Sequence, residues 1–135
     1  MNNTKKMPVV LVVDDEPVIL ETFKAILKEL FKVLTASNGK QALEIITQAQ
    51  VDLVLLDINI PGMNGIEILH KIKEYERNLP VILVTATANA DMIVEAKRLG
   101  IDDYLTKPFD VDKVIALVHK TIKKERNIYM ESPRF

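Results

Sequence analysis

Asp52-Leu53-Val54-Leu55-Leu56-Asp57-Ile58-Asn59-Ile60-Pro61-Gly62 is an apolar run that carries one carboxylate, Asp57, to its end and then breaks. So short a run, bounded by turn formers, predicts a strand buried on both faces, and Pro61-Gly62 supplies the turn. Asp57 then stands where buried sheet gives way to exposed loop, within reach of a reactant.

The same pattern recurs on either side. Pro8 to Val13 is a valine-rich run that stops at Asp14-Asp15-Glu16-Pro17, which predicts a central strand, a loop and a helix with proline in its first turn. Leu20, Phe23, Ile26, Leu27 and Leu30 recur at helical spacing between Val18 and Leu30 and form one buried stripe. Phe31 to Ala36 reads as an edge strand, punctuated by Ser37-Asn38-Gly39. A helix over Gly39 to Gln48 leads into the Asp52–Asp57 strand. After the Pro61–Gly65 loop, Ile66, Ile68, Leu69 and Ile72 mark a third helix. Pro80 to Val84 is a further buried strand that closes on Thr85.

Asn89 or Asp91 caps a fourth helix with Met92, Ile93, Ala96 and Leu99 inward and Gly100 as its stop. Asp102 to Thr106 is a fifth strand, Lys107-Pro108-Phe109 a tight connection, and Asp110 the cap of a last helix burying Val114, Leu117, Val118 and Ile122. Strands alternating with helices predict an α/β fold: a five-stranded parallel sheet in the doubly wound, flavodoxin-like order 2-1-3-4-5 with five helices on its two faces. Ligands in such sheets bind beyond the carboxyl ends of the strands, where the winding reverses between strands one and three.

With 135 residues, 48% of them hydrophobic and 27% charged, the chain suits one soluble domain. No apolar run approaches the roughly 18 residues of a membrane span, and a cytoplasmic protein is expected. The absence of cysteine excludes disulfides, thiolate nucleophiles and the usual structural zinc sites, and two scattered histidines give little scope for a transition-metal cage. A net charge of −1 offers nucleic acid no general attraction. Lys120, Lys123, Lys124 and Arg126 are read as a solvated helix face, and His70 and His119 as surface residues.

Each central strand delivers a polar group to one rim: Asp14 and Asp15 after the first, Asp57 after the third, Thr85 after the fourth, Lys107 after the fifth. Three carboxylates in one crevice repel one another and imply a cation. Magnesium suits oxygen ligands and commonly shares its shell with a phosphoryl group, to which Lys107 and the Thr85 hydroxyl would contribute charge and a hydrogen bond.

Asp14-Asp15-Glu16, Asp57 to Gly65, Val84-Thr85-Ala86 and Tyr104 to Phe109 together resemble the receiver domain of two-component response regulators, chemotaxis regulators among them. The resemblance spans nearly the whole chain. It divides the sequence into an N-terminal lead (1–8), a receiver domain (9–123) and a C-terminal tail or linker stub (124–135). It implies that Asp57 accepts a phosphoryl group from a phosphohistidine on a sensor histidine kinase or phosphotransfer protein. Asp15 would then be a direct Mg2+ ligand and Asp14 a ligand largely through water, with Asp57 and the Asn59 backbone carbonyl completing the set; Mn2+ is an acceptable substitute. Lys107 would pair with the phosphoryl oxygens, aimed by a cis Lys107–Pro108 peptide.

Thr85 and Tyr104 would form the switch pair, and Asn59 and Thr87 would set the dephosphorylation rate. The face of helix 4, strand 5 and helix 5 would pass the signal to an output domain or partner protein, with phosphorylation-dependent homodimerisation among the possible outputs. Turnover catalysis, direct nucleic-acid binding by this domain and membrane association are not expected. Two departures stand out: Ile101 occupies a usual alanine position and Asn64 a common aspartate position.

Two other classes fit the residues less well. An aspartate-nucleophile phosphohydrolase of the haloacid-dehalogenase type needs a second aspartate two residues after the nucleophile, where this chain has Asn59. A flavodoxin-like nucleotide binder needs a Gly-rich or Ser/Thr-rich phosphate loop after strand one, where this chain has acids.

Overall fold

Three strands contain almost no polar side chain, and that dictates where they lie. β1 (Val9–Val13), β3 (Leu53–Asp57) and β4 (Val81–Thr85) are apolar on both faces, so each needs a covering layer on either side. In the computed structural model, which describes residues 7–87 and 89–131, with side chains from 125 onward excepted, they form the centre of one parallel sheet. β2 (Lys32–Ala36) and β5 (Asp103–Thr106) flank them in the order β2-β1-β3-β4-β5, the order predicted. Helices α1 (Pro17–Leu27), α2 (Gly39–Gln48), α3 (Gly65–Tyr75), α4 (Ala90–Arg98) and α5 (Val111–Glu131) supply the crossovers.

Alternate strand residues enter different cores. Leu11, Val13, Val54, Leu56, Val81 and Leu83 pack with Ala42 and Ile46 of α2, Ile68, Leu69 and Ile72 of α3, and Ala96 of α4. Val10, Val12, Leu53, Leu55, Ile82 and Val84 pack with Phe23 and Leu27 of α1 and Val114, Val118 and Ile122 of α5.

Local signals start the helices. Asn38 accepts the Gln41 N–H, Asn64 those of Ile66 and Glu67, Asn89 those of Asp91 and Met92, and Asp110 that of Asp112. The cap of α4 is therefore Asn89 rather than Asp91. Asn64 shows why its departure from aspartate is tolerated: its carboxamide oxygen performs the capping. Ile101, the other departure, is half-buried against the α2–α4 core.

One predicted core residue is outside. Leu30 is 44% exposed, because α1 ends at Leu27 and a turn follows, and Phe31, at 3%, fills the space instead. α5 continues through Lys123, the expected end of the receiver unit, to Glu131. The side chains of Arg126, Ile128 and Tyr129 lie outside the described residues, as do Phe135 and Met1–Lys6; Lys120, Lys123 and Lys124 are exposed. Among the described residues, no helix is long and apolar enough to cross a membrane.

At the amino end of the sheet, two aspartates tie neighbouring strands. Asp52 accepts the Val9 N–H on Oδ2 at 2.8 Å and donates its own N–H to the Val9 carbonyl at 2.8 Å. Asp102 does the same with Val81, at 3.2 and 2.9 Å.

Candidate functional site

Strand register brings the acids together at the opposite end. Val13 pairs with Leu56 across β1 and β3, so Asp14 and Asp57 leave the sheet side by side. Asp57 pairs with Val84 and Thr85 with Thr106, which sets Thr85 and Lys107 on the same rim. Asp14 and Asp57 are buried and Asp15 exposed, and carboxylate oxygens of the three lie within 4.8 Å of one another.

Gly65 allows the loop after β3 to fold tightly against α3. A Cβ there would lie 2.6 Å from the Ile58 Cα, far inside contact distance with backbone.

Lys107 is the cation at this centre. Its Nζ lies 3.0 Å from Asp14 Oδ2, 3.2 Å from Asp57 Oδ2 and 3.7 Å from Glu16 Oε1. Its backbone is held on both sides: its N–H donates to the Thr85 carbonyl at 2.8 Å, and beyond the cis Lys107–Pro108 peptide the Phe109 ring stacks on Phe23 of α1 at 4.7 Å.

Burial pushes the Asp57 carboxyl above its ordinary range, and the Asp14 charge adds to this. The Asn59 N–H, which donates to Asp57 Oδ1 at 2.8 Å, and the Lys107 ammonium pull the other way without cancelling it. Burial alone would lower the Lys107 ammonium; its hydrogen bond to Asp14 and the charges of Asp57 and Asp14 outweigh burial, and the net shift is upward. Among the described residues, one ammonium stands among Asp14, Asp15, Asp57 and the nearby Glu16, so acids outnumber it. A set of oxygen donors this close suits a hard divalent cation, with Asp14, Asp15 and Asp57 as the residues able to hold it.

Thr85 is fully buried, and among the described residues its hydroxyl is bonded to Asn59 and Thr87 and not to Asp57. It lies 2.8 Å from both Asn59 Oδ1 and the Thr87 carbonyl, while its oxygen accepts the Thr87 N–H at 3.2 Å. Asn59 Oδ1 also accepts the Ala86 N–H at 3.3 Å. Thr87 thus enters this network through its backbone. Tyr104 stands apart, half-buried against the α2–α4 core and beside a groove of about 530 Å³ bordered by Lys113, Leu117 and Lys120 of α5.

Two contributions escape a reading by residue type. Glu16 approaches Lys107, a role its place beside Asp14-Asp15 could have suggested. Asn59 acts through its side chain as well as its backbone, and nothing in the local sequence signals that.

A doubly wound α/β sheet with acids at its switch point and a lysine after the last strand defines a narrow class. The chain matches the model of the response regulator receiver domain over residues 10–119 and belongs to that family. It is 43% identical over 119 residues to Sporulation initiation phosphotransferase F of Bacillus subtilis (strain 168), covering 87% of this chain and 96% of that one.

It is 36% identical over 132 residues to the DNA-binding transcriptional regulator NtrC of Escherichia coli (strain K12), covering 93% of this chain and 28% of NtrC. Among solved structures it resembles a CheY-like response regulator receiver domain protein from Methanospirillum hungatei JF-1, with a TM-score of 0.87 at 28% identity and coverage of 90% and 98%.

Proposed function

We propose that the protein is a phospho-accepting signalling switch. An Asp57 carboxylate oxygen attacks the phosphorus of a phosphohistidine on a sensor histidine kinase or phosphotransfer protein. The P–N bond breaks, the electron pair returns to the imidazole, and Asp57 becomes an acyl phosphate. The observation that carries this reading is the setting of Asp57: buried, at the rim, with one oxygen held by the Asn59 N–H and the other 3.2 Å from Lys107.

Each helper has a physical task. Lys107 offsets charge on the phosphoryl oxygens, and the Asn59 N–H fixes the orientation of the carboxylate. Asp14, Asp15, Asp57 and the Asn59 carbonyl would hold Mg2+, which when bound neutralises charge on the transferring group. Thr85 would turn to the phosphoryl group and Tyr104 inward behind it, biasing the α4–β5–α5 face between two arrangements it already has. Asn59 and Thr87 would tune the lifetime of the phosphoryl group.

The receiver unit would span residues 9–123 and act in the cytoplasm, as a switch and not a turnover enzyme. Its output, through a further domain, a partner protein or a second copy, lies beyond Asp57. The chain spans from about a quarter to about half of the length of the transcriptional regulators it matches.

Incubation with a small acyl phosphate and magnesium should add one phosphoryl group by intact mass. Asp57→Asn should abolish the addition; undiminished phosphorylation of that variant would overturn the assignment.

A further inference from the structure

We infer that the Asn59 carboxamide is a positioning residue for the switch: it clamps the Thr85 hydroxyl away from Asp57, and the clamp must open before that hydroxyl can reach a phosphoryl group. The inference rests on the phospho-acceptor reading and deepens it.

Its basis is one hydroxyl proton with competing acceptors. The hydroxyl oxygen lies 2.8 Å from Asn59 Oδ1 and 2.8 Å from the Thr87 carbonyl, and its single proton is shared between these acceptors. A third acceptor, a phosphoryl oxygen on Asp57, gains the proton only at the expense of the other two. The orientation of the amide is not arbitrary. The Ala86 N–H can only donate, and it points at the same atom from 3.3 Å, so that atom is the oxygen.

Asn59 also touches the reacting group itself, because its N–H donates to Asp57 Oδ1 at 2.8 Å. A single residue therefore joins both ends of the switch: the backbone to the acceptor carboxylate, the side chain to the threonine that would respond. Asn59 is exposed, so truncating its side chain opens no cavity. If the amide merely fastened the loop, its loss would loosen the site and weaken binding of a phosphoryl mimic. If it is a clamp, its loss makes Thr85 easier to recruit and strengthens binding.

The test titrates beryllofluoride with magnesium, as a phosphoryl stand-in, into wild type, Asn59→Ala, Thr85→Val and the double variant. Asn59→Ala should bind about two- to tenfold tighter than wild type, the span of one net hydrogen bond. In the Thr85→Val background, adding Asn59→Ala should change nothing, because no hydroxyl remains to release. Equal or weaker binding by Asn59→Ala overturns the clamp, as does a gain that persists with Thr85→Val, because that gain would not run through the hydroxyl. Failure of the wild type to bind beryllofluoride would instead overturn the phospho-acceptor reading.

Discussion

Lys107 and Asp14, 93 positions apart in the chain, meet at 3.0 Å through Nζ and Oδ2, and the same ammonium lies 3.2 Å from Asp57. Removing it leaves two buried carboxylates with no counter-charge. Lys107→Met should therefore destabilise the fold by about 3 kcal/mol at neutral pH without divalent cation, the cost typical of one lost partner in a buried pair. Magnesium should recover part of the loss in urea denaturation. A variant as stable as wild type would show that Lys107 does not offset these charges. Because pairing raises the Lys107 value, its stabilisation is intact below the ordinary 10.5 and fades as pH climbs through the raised one.

Asp57 has the opposite consequence. Its folded value is raised, so folding favours the protonated carboxyl. Its contribution is complete below the ordinary 3.8 and is lost as pH rises through the folded value. Asp57→Asn should accordingly be more stable than wild type at pH 7, with the gap closing under acid. Parallel stability profiles for the two proteins across that range would refute the effect.

Asp15 is exposed yet part of the acid cluster, a position suited to direct contact with an ion arriving from solvent. Asp15→Asn should weaken magnesium binding by about tenfold or more, as removal of one close charge from a divalent site requires. Calorimetric titration checks this, and unchanged affinity would remove Asp15 from the ligand set.

Gly65→Ala tests how α3 shapes the loop below Asp57. The added methyl would meet the Ile58 backbone at 2.6 Å, and backbone yields less readily than a side-chain tip. A loss of about 1–3 kcal/mol is expected, accompanied by slower phosphorylation because the Asn59 N–H shifts with the loop. Unimpaired folding and rate would show that the contact relaxes freely.

Much of this was legible from residue type because strand ends are punctuated. The runs before Asp14, Asp57 and Thr85 are unbroken, the break is abrupt, and the winding rule puts all three breaks on one rim. Leu30 misled because a helical stripe does not announce where the helix stops; the turn after Leu27 decided that Phe31 faces inward. The Asn59–Thr85 bond, across 26 positions, depends on how two loops fold toward each other, and no periodicity encodes that. The length of α5 was equally hidden, since charged residues after Lys123 suit a helix as well as a tail.

Strands that are apolar on both faces have a weakness: shifting one by a residue buries hydrocarbon almost as well, so burial does little to select the alignment. In β1 and β3 the choice falls to polar groups at the ends, and Asp52 makes it by exchanging two hydrogen bonds with Val9. Asp52 lies one strand's length, roughly 17 Å, from the rim. Yet a β3 slipped past that contact would deliver Asp57 out of step with Asp14, giving a folded protein whose rim acids no longer converge. The placing of the proposed acceptor is thus kept by a carboxylate at the other end of the sheet, far from the acid cluster.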